Sequence, residues 1–327
     1  MRALFGAVLG AGLALAAIGP ATGATVDYTS FHVLGDSLSD IGNVYRTSFH
    51  QVPKSPPYYR GRFSNGPVWA EHVADAFREE GLPTGNHAWG GATARTTNDG
   101  IPDLRAQATR YRSLDDARKG DRPLLALWAG GNDILNTDGA SRSVRVGRAA
   151  AQAVGDTAAL LARSGVEDFL IFDLPNLGAI PQFRGDPSGA RAATAGVKAF
   201  NRQLRREIIA LRQDGTTVRK VSAYALFNAL VENPRAYGVR DVTTPCLDED
   251  DNPCSTRQGR YRAFFDDIHP NFVVHEQLSE AALDQINAGD ASAVASMSAP
   301  VAPIPLPGAA GLLIVAIGGL AVVARRR

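Results

Sequence analysis

Three residues have the types that nucleophilic catalysis needs: a serine near the amino end, Ser37, and a carboxylate–imidazole pair near the carboxyl end, Asp266 and His269. Ser37 sits in Phe31-His32-Val33-Leu34-Gly35-Asp36-Ser37-Leu38-Ser39-Asp40-Ile41-Gly42-Asn43. The apolar run reads as a buried parallel strand that breaks at Gly35 and delivers the serine into a turn. Ser39 and Asp40 then offer N-cap chemistry for a helix start. On such a turn backbone N–H groups point outward, so a serine there can attack while its own N–H steadies a developing oxyanion. In Asp266-Asp267-Ile268-His269-Pro270 the carboxylate precedes the imidazole by three, close enough for one loop to present both. Asp266 would hold the imidazole by Nδ1–H and leave Nε2 free to take the serine proton, with Asp267 the alternative orienter. Asp36 and Asp133 adjoin these motifs and read as groups that cap their own loops.

The elements that must position these residues show as alternating patterns. Besides the first run, short apolar stretches at His87 to Trp89, Leu124 to Ala129, Phe169 to Phe172 and Val218 to Ser222 read as strands. Helical spacing shows at Trp69, Val73, Ala76 and Phe77, and again at Val197, Phe200, Leu204, Ile208 and Leu211. An alanine-rich helix is expected over Ser141 to Arg163 and another from about Asn271 to Asn287. Strands alternating with helices argue for a parallel sheet covered on both faces, with its site at the carboxyl ends of the strands. The segment from Phe49 to Arg62, rich in proline and tyrosine, is where a lid would stand.

The chain has 327 residues, an apolar fraction of 45% and a formal net charge of +1, which offers no electrostatic case for nucleic acid. Two cysteines exclude a disulfide-framework fold and a cysteine-rich metal site. Both ends read as addresses. Residues 1–24 carry Arg2, an apolar run from Leu4 to Ile18 and a small-residue exit at Ala21-Thr22-Gly23-Ala24, the pattern of a cleaved secretory leader. One domain is expected over 28–288, followed by a Gly/Ala/Ser/Pro linker over 289–303 and a tail over 304–327. In that tail the apolar run from Ala309 to Ala324 would span about 24 Å as a helix, short of a hydrocarbon core of roughly 30 Å. Arg325, Arg326 and Arg327 would hold its cytoplasmic end. In an exported chain Cys246 and Cys254, seven residues apart between them, are expected to pair locally, stabilising by roughly 2–3 kcal/mol.

The order serine early, Asp-x-x-His late resembles the GDSL family, also called SGNH hydrolases, over about residues 30 to 285. Gly35 to Asn43 matches its first block; Asn86-His87-Ala88-Trp89-Gly90-Gly91-Ala92 resembles the second, and Trp128-Ala129-Gly130-Gly131-Asn132-Asp133 the third. Asp266 and His269 match the fifth. Gly61 to Trp69 looks like a segment of bacterial lipase and lysophospholipase members. The resemblance implies a flavodoxin-like three-layer α/β/α sandwich of about five parallel strands and a serine ester hydrolase that needs no metal or other cofactor. It implies Ser37 as nucleophile, His269 as base, Asp266 as orienter, and an oxyanion hole from Ser37, Asn132 and Gly90, with Gly91 the alternative. It points to carboxylic, chiefly acyl-lipid, esters; a carbohydrate acetylesterase and a non-catalytic binding protein are the rival readings. An α/β-hydrolase is rejected because Ser39 stands where its Gly-x-Ser-x-Gly motif requires glycine. The tail is similar to PEP-CTERM sorting tails of the VPLPA type, with Ile304-Pro305-Leu306-Pro307-Gly308 in place of that motif. This implies a membrane association and an exosortase-type protease as partners, and an envelope or surface location.

Overall fold

A computed structural model describes residues 28–295, with side chains to residue 288. The expected leader at 1–24 and sorting tail at 304–327 lie outside the described residues. In chain order the elements are β1 (Ser30–Gly35), α1 (Asn43–Thr47), α2 (Trp69–Glu79), β2 (Thr84–Asn86), α3 (Leu104–Arg112), α4 (Asp116–Lys119), β3 (Pro123–Trp128) and α5 (Gly131–Leu135). They continue with α6 (Ala140–Ala162), β4 (Asp168–Phe172), α7 (Pro187–Gln213), β5 (Thr217–Val221), α8 (Ala223–Glu232), α9 (Thr256–Gly259) and α10 (Phe272–Ala295).

All five strands are parallel and lie in the order β2-β1-β3-β4-β5. Every residue of β1, β3 and β4 is buried, as a sheet covered on both faces requires. Right-handed crossovers explain the layers. The chain steps one way from β1 to β2 and then the other way to β3, β4 and β5, which puts α2 on one face and α3, α6 and α7 on the other. The Trp69 N–H donates to His275 Nδ1 at 3.3 Å, so α10 lies beside α2. Trp69, Trp128 and Phe172 fill the core; the Trp128 and Phe172 rings stack at 4.6 Å, and Trp69 meets Phe172 at 4.4 Å. Each such fully buried large side chain contributes about 1.5–3 kcal/mol.

The strand order reverses beside β1, and a crevice opens outside the carboxyl ends of the strands at such a point. The turn after β1 carries Ser37 there. No helix among the described residues is long and apolar enough to cross a membrane.

Two expectations need correction. The second strand is Thr84–Asn86 rather than His87 to Trp89. The N–H groups of His87 and Trp89 still donate to Val33 and Gly35 of β1, at 2.8 and 3.1 Å. The Asn86 side chain accepts from the Ala88 N–H at 3.1 Å and bends the chain out of the ladder. Nor does Ser39 cap a helix: its Oγ accepts from the Trp69 indole at 3.1 Å, in the core. Asp40 alone gathers the N–H groups that open α1, those of Gly42, Asn43 and Val44.

Candidate active site

Ser37, Asp266 and His269 meet at the crevice. His269 Nε2 lies 2.8 Å from Ser37 Oγ, across 232 residues of sequence, and His269 Nδ1 lies 2.7 Å from Asp266 Oδ2. An ionised Asp266 can only accept, so the shared proton sits on Nδ1 and Nε2 is left as the acceptor for the serine hydroxyl. Asp267 takes no part as orienter. Its side chain is exposed, and its backbone oxygen accepts from the Gln182 N–H at 2.9 Å. The acid–imidazole pair lies on a turn just ahead of α10, whereas Ser37 follows β1 directly.

The carboxylate is held from all sides. Asp266 Oδ1 accepts from the N–H groups of Ile268 and His269, at 2.8 and 2.6 Å. Its Oδ2, besides His269, accepts from the Tyr58 hydroxyl at 2.7 Å. Burial works against its charge, but His269 and the hydrogen bonds from His269 and Tyr58 outweigh that and lower its pKa to about 2. For His269, burial opposes protonation and the charges of Asp266 and Asp36 favour it, with a net upward shift. Asp36, 3% exposed, is pushed up by burial to about 7, against the Leu38 N–H and the His269 charge.

Tyr58 is a participant that the sequence reading does not name. It comes from the Phe49 to Arg62 stretch, which walls the site instead of standing free of it. Five residues further on, Phe63 packs against His269 with ring centroids 5.2 Å apart. Its ring also fills the space over Gly90, where a Cβ would lie 2.2 Å from Phe63. The signals for this wall in the sequence are the proline and tyrosine content of Phe49 to Arg62 and the Gly61 to Trp69 block beside it.

The oxyanion expectation changes at Gly90. Its N–H donates to Asp40 Oδ2 at 2.9 Å, in a buried setting, and cannot serve a substrate oxygen at the same time. The turn from Trp89 to Ala92 closes with a 3.0 Å bond. Gly91 sits at its third place with φ +82°, a conformation that favours glycine. The N–H groups of Gly91 and Ser37 make no hydrogen bond among the described residues. Asn132, at the start of α5, donates one amide hydrogen to the Ala92 carbonyl at 2.8 Å, which fixes the amide plane and leaves its second hydrogen over. Asp133 caps another loop than its own: it accepts from the Ala94 N–H at 2.7 Å and from Arg95 Nε at 2.9 Å. Cys246 and Cys254 form a disulfide in the loop ahead of the Asp266 turn, with Cα atoms 4.9 Å apart.

A serine hydroxyl bonded to an imidazole that is in turn bonded to a buried carboxylate, with unspent N–H donors nearby, can add to an ester carbonyl and hold the resulting oxyanion. The comparisons with known proteins agree with that chemistry. The family described as GDSL-like Lipase/Acylhydrolase matches residues 32–282. "Phosphatidylcholine-sterol acyltransferase" of Aeromonas hydrophila is 29% identical over 305 residues, covering 76% of this chain and 88% of that protein. "Thermolabile hemolysin" of Vibrio parahaemolyticus is 27% identical, covering 78% of this chain and 63% of that protein. "Acetylesterase" of Thermothelomyces thermophilus is 24% identical, covering 68% of this chain and 75% of that protein. With the matched family spanning 251 of the 327 residues (282 − 32 + 1), the chain is a GDSL-like lipase/acylhydrolase and a carboxylic ester hydrolase.

Proposed function

We propose that this hydrolase is exported and cleaves acyl-lipid esters through an acyl-enzyme on Ser37. The observation that carries the mechanism is the unbroken line Ser37 Oγ, His269 Nε2, His269 Nδ1, Asp266 Oδ2, with links of 2.8 and 2.7 Å. Ser37 Oγ adds to the ester carbonyl while Nε2 accepts its proton. The oxyanion takes the N–H groups of Ser37 and Gly91 and the spare amide hydrogen of Asn132. The C–O bond to the alcohol then breaks, and the imidazolium gives the alcohol its proton. Water, deprotonated by the same imidazole, attacks the acyl-enzyme; the acyl bond to Ser37 Oγ breaks, the carboxylic acid leaves, and the imidazolium returns its proton to Oγ. Asp266 stays ionised throughout, as its lowered pKa favours.

The lipid preference rests on the Gly61 to Trp69 segment and on relatives named for phosphatidylcholine and for haemolysis. Export rests on the leader pattern of residues 1–24 and on a disulfide, which persists outside the reducing cytosol. The tail at 304–327 is read as a membrane-associated sorting signal, cut by an exosortase-type protease or kept as an anchor, and the domain is assigned to 28–288. A second reading, a carbohydrate acetylesterase, is favoured by the acetylesterase relative.

One experiment separates these readings. Purified protein is tested on p-nitrophenyl esters from acetate to palmitate, acetylated sugars and lysolecithin, with Ser37→Ala and Asn132→Ala alongside. Expected are long-chain and lysolecithin turnover, none in Ser37→Ala, and a fall of about 100-fold or more in kcat for Asn132→Ala. Turnover of acetyl esters alone selects the second reading. Full activity in Ser37→Ala overturns the mechanism.

A further inference from the structure

Among the described residues six large apolar side chains are exposed: Phe49, Val52, Ile101, Ile209, Val231 and Ile268. Scattered single exposures are ordinary, but four of these six belong to segments that build the site. Ile268 lies between Asp266 and His269. The Ile101 side chain packs over Gly91, where an added Cβ would lie 2.9 Å from its Cδ1. Phe49 and Val52 form the tip of the stretch whose far end supplies Tyr58 and adjoins Phe63. Phe49 is 87% exposed, the most of the six.

That exposure is held in place by an ordered turn. The His50 N–H donates to the Tyr45 carbonyl at 2.8 Å, and the Val52 N–H donates to Ser48 Oγ at 2.9 Å. The Tyr45 and His50 rings pack at 4.6 Å. Phe49 and His50 have φ of +53° and +67°, a left-handed conformation that costs a bulky aromatic residue energy. The loop therefore accepts strain while directing a phenyl ring into water. The tip is also coupled to the site wall, because the Tyr58 N–H donates to the Lys54 carbonyl at 3.2 Å.

Charge says what the tip faces. From Ile41 to Gly66 the chain has no Asp or Glu and carries Arg46, Lys54, Arg60 and Arg62. Arg62 turns inward to Glu71, 3.1 Å away. Arg46 and Arg60 are exposed and have no carboxylate partner among the described residues, while exposed Lys54 has a loose one in Asp251 at 3.7 Å. An exposed aromatic tip on a segment that carries cations and no carboxylate matches an acyl-lipid surface with anionic headgroups.

We infer that the stretch from Asn43 to Arg62 is an interfacial docking loop: Phe49, with Val52, enters the acyl layer of an anionic lipid surface, and Arg46, Lys54 and Arg60 contact its headgroups. The inference deepens the acyl-lipid reading and rests on it for the nature of the substrate. The loop would set the site mouth, rimmed by Ile101 and Ile268, against the phase in which the esters lie.

The test uses the full chain carrying Ser37→Ala, so that docking is measured without turnover. Its partition onto sedimented vesicles is compared for phosphatidylcholine alone and for phosphatidylcholine mixed with phosphatidylglycerol. Phe49→Asn suits the left-handed backbone and removes only the apolar ring. It is expected to weaken partition onto the mixed vesicles by about tenfold. Arg46→Gln and Arg60→Gln are each expected to weaken it by about fivefold, and Ile209→Ser on α7 to leave it unchanged. With Ser37 restored, Phe49→Asn should slow hydrolysis of vesicle-borne esters by a similar factor while the rate on soluble p-nitrophenyl acetate holds. Equal partition of Phe49→Asn and the parent, or no preference for the mixed vesicles, overturns the inference. So does a dimer that Phe49→Asn dissolves, which would assign the tip to a second copy. Preference for the mixed vesicles that Phe49→Asn weakens, together with no hydrolysis of vesicle-borne esters when Ser37 is present, would instead count against the acyl-lipid reading and leave the docking inference standing.

Discussion

Replacing Tyr58 by Phe asks what the hydroxyl on Asp266 does. The change removes one hydrogen bond of 2.7 Å to Oδ2 and leaves the ring, which packs edge-on against Phe265 at 5.0 Å. Asp266 keeps three of its four bonds, those from the Ile268 N–H, the His269 N–H and His269 Nδ1. A bond to a charged acceptor contributes about 1.5–3 kcal/mol. If all of it were expressed in the transition state, kcat would fall by roughly 10- to 150-fold. With three bonds remaining the fall should be near tenfold, with KM unchanged. The direction of the pH effect follows from the same geometry. Tyr58 shares Oδ2 with His269 and draws off part of its negative charge. Without it, Asp266 holds the imidazolium more tightly, and the already raised pKa of His269 rises further. The base must be neutral to act, so the acidic limb of kcat/KM should move to higher pH. The assay is kcat/KM against pH on a soluble p-nitrophenyl ester, with thermal melts to confirm that the variant folds. A merely structural tyrosine would lower the melting temperature and leave the limb where it was. A folded Tyr58→Phe protein with wild-type kcat and an unmoved limb would refute the reasoning.

Asp36→Asn should move the same limb the other way, because the Asp36 charge is among the groups that hold the proton on His269. The variant should also change how stability depends on pH. Burial raises Asp36 from 3.8 to about 7, so the folded state binds more protons than the unfolded one between those values. The wild type therefore loses stability as pH rises through that window, and Asn removes this loss; urea unfolding at the lower and upper ends of the window reads it. Replacing Cys246 and Cys254 by serine removes the constraint on a short loop and should cost about 2.5 kcal/mol. That would show as a lower urea midpoint, with the esterase rate at low temperature little changed.

The strands of the inner sheet were legible because burial on both faces leaves continuous apolar runs, as in Leu124 to Ala129. The second strand was not, since Thr84-Gly85-Asn86 has no apolar signal and is defined by pairing with β1. The alternation of strands and helices was enough for the sheet class. The types at Ser37, Asp266 and His269 could be read from short motifs, but their meeting depends on α10 packing beside α2. Two parts of the site escaped because they are long-range. Tyr58 reaches Asp266 across 208 residues from a stretch with no periodicity. Which of two adjacent glycines has a free N–H depends on Asp40, 50 residues earlier.

The 232 residues between Ser37 and His269 also set an order of events as the polypeptide is made. The hydroxyl emerges with the first strand, while its imidazole partner follows all five strands and is secured only when the last helix settles. Bonds such as Ser64 Oγ to the Pro270 carbonyl at 3.0 Å, and the Phe272 N–H to Asn65 Oδ1 at 3.0 Å, then stitch the two ends together. A nascent or still-threaded chain thus carries its serine without a base to deprotonate it. Hydrolytic power would arise only at completion, when the base reaches the hydroxyl.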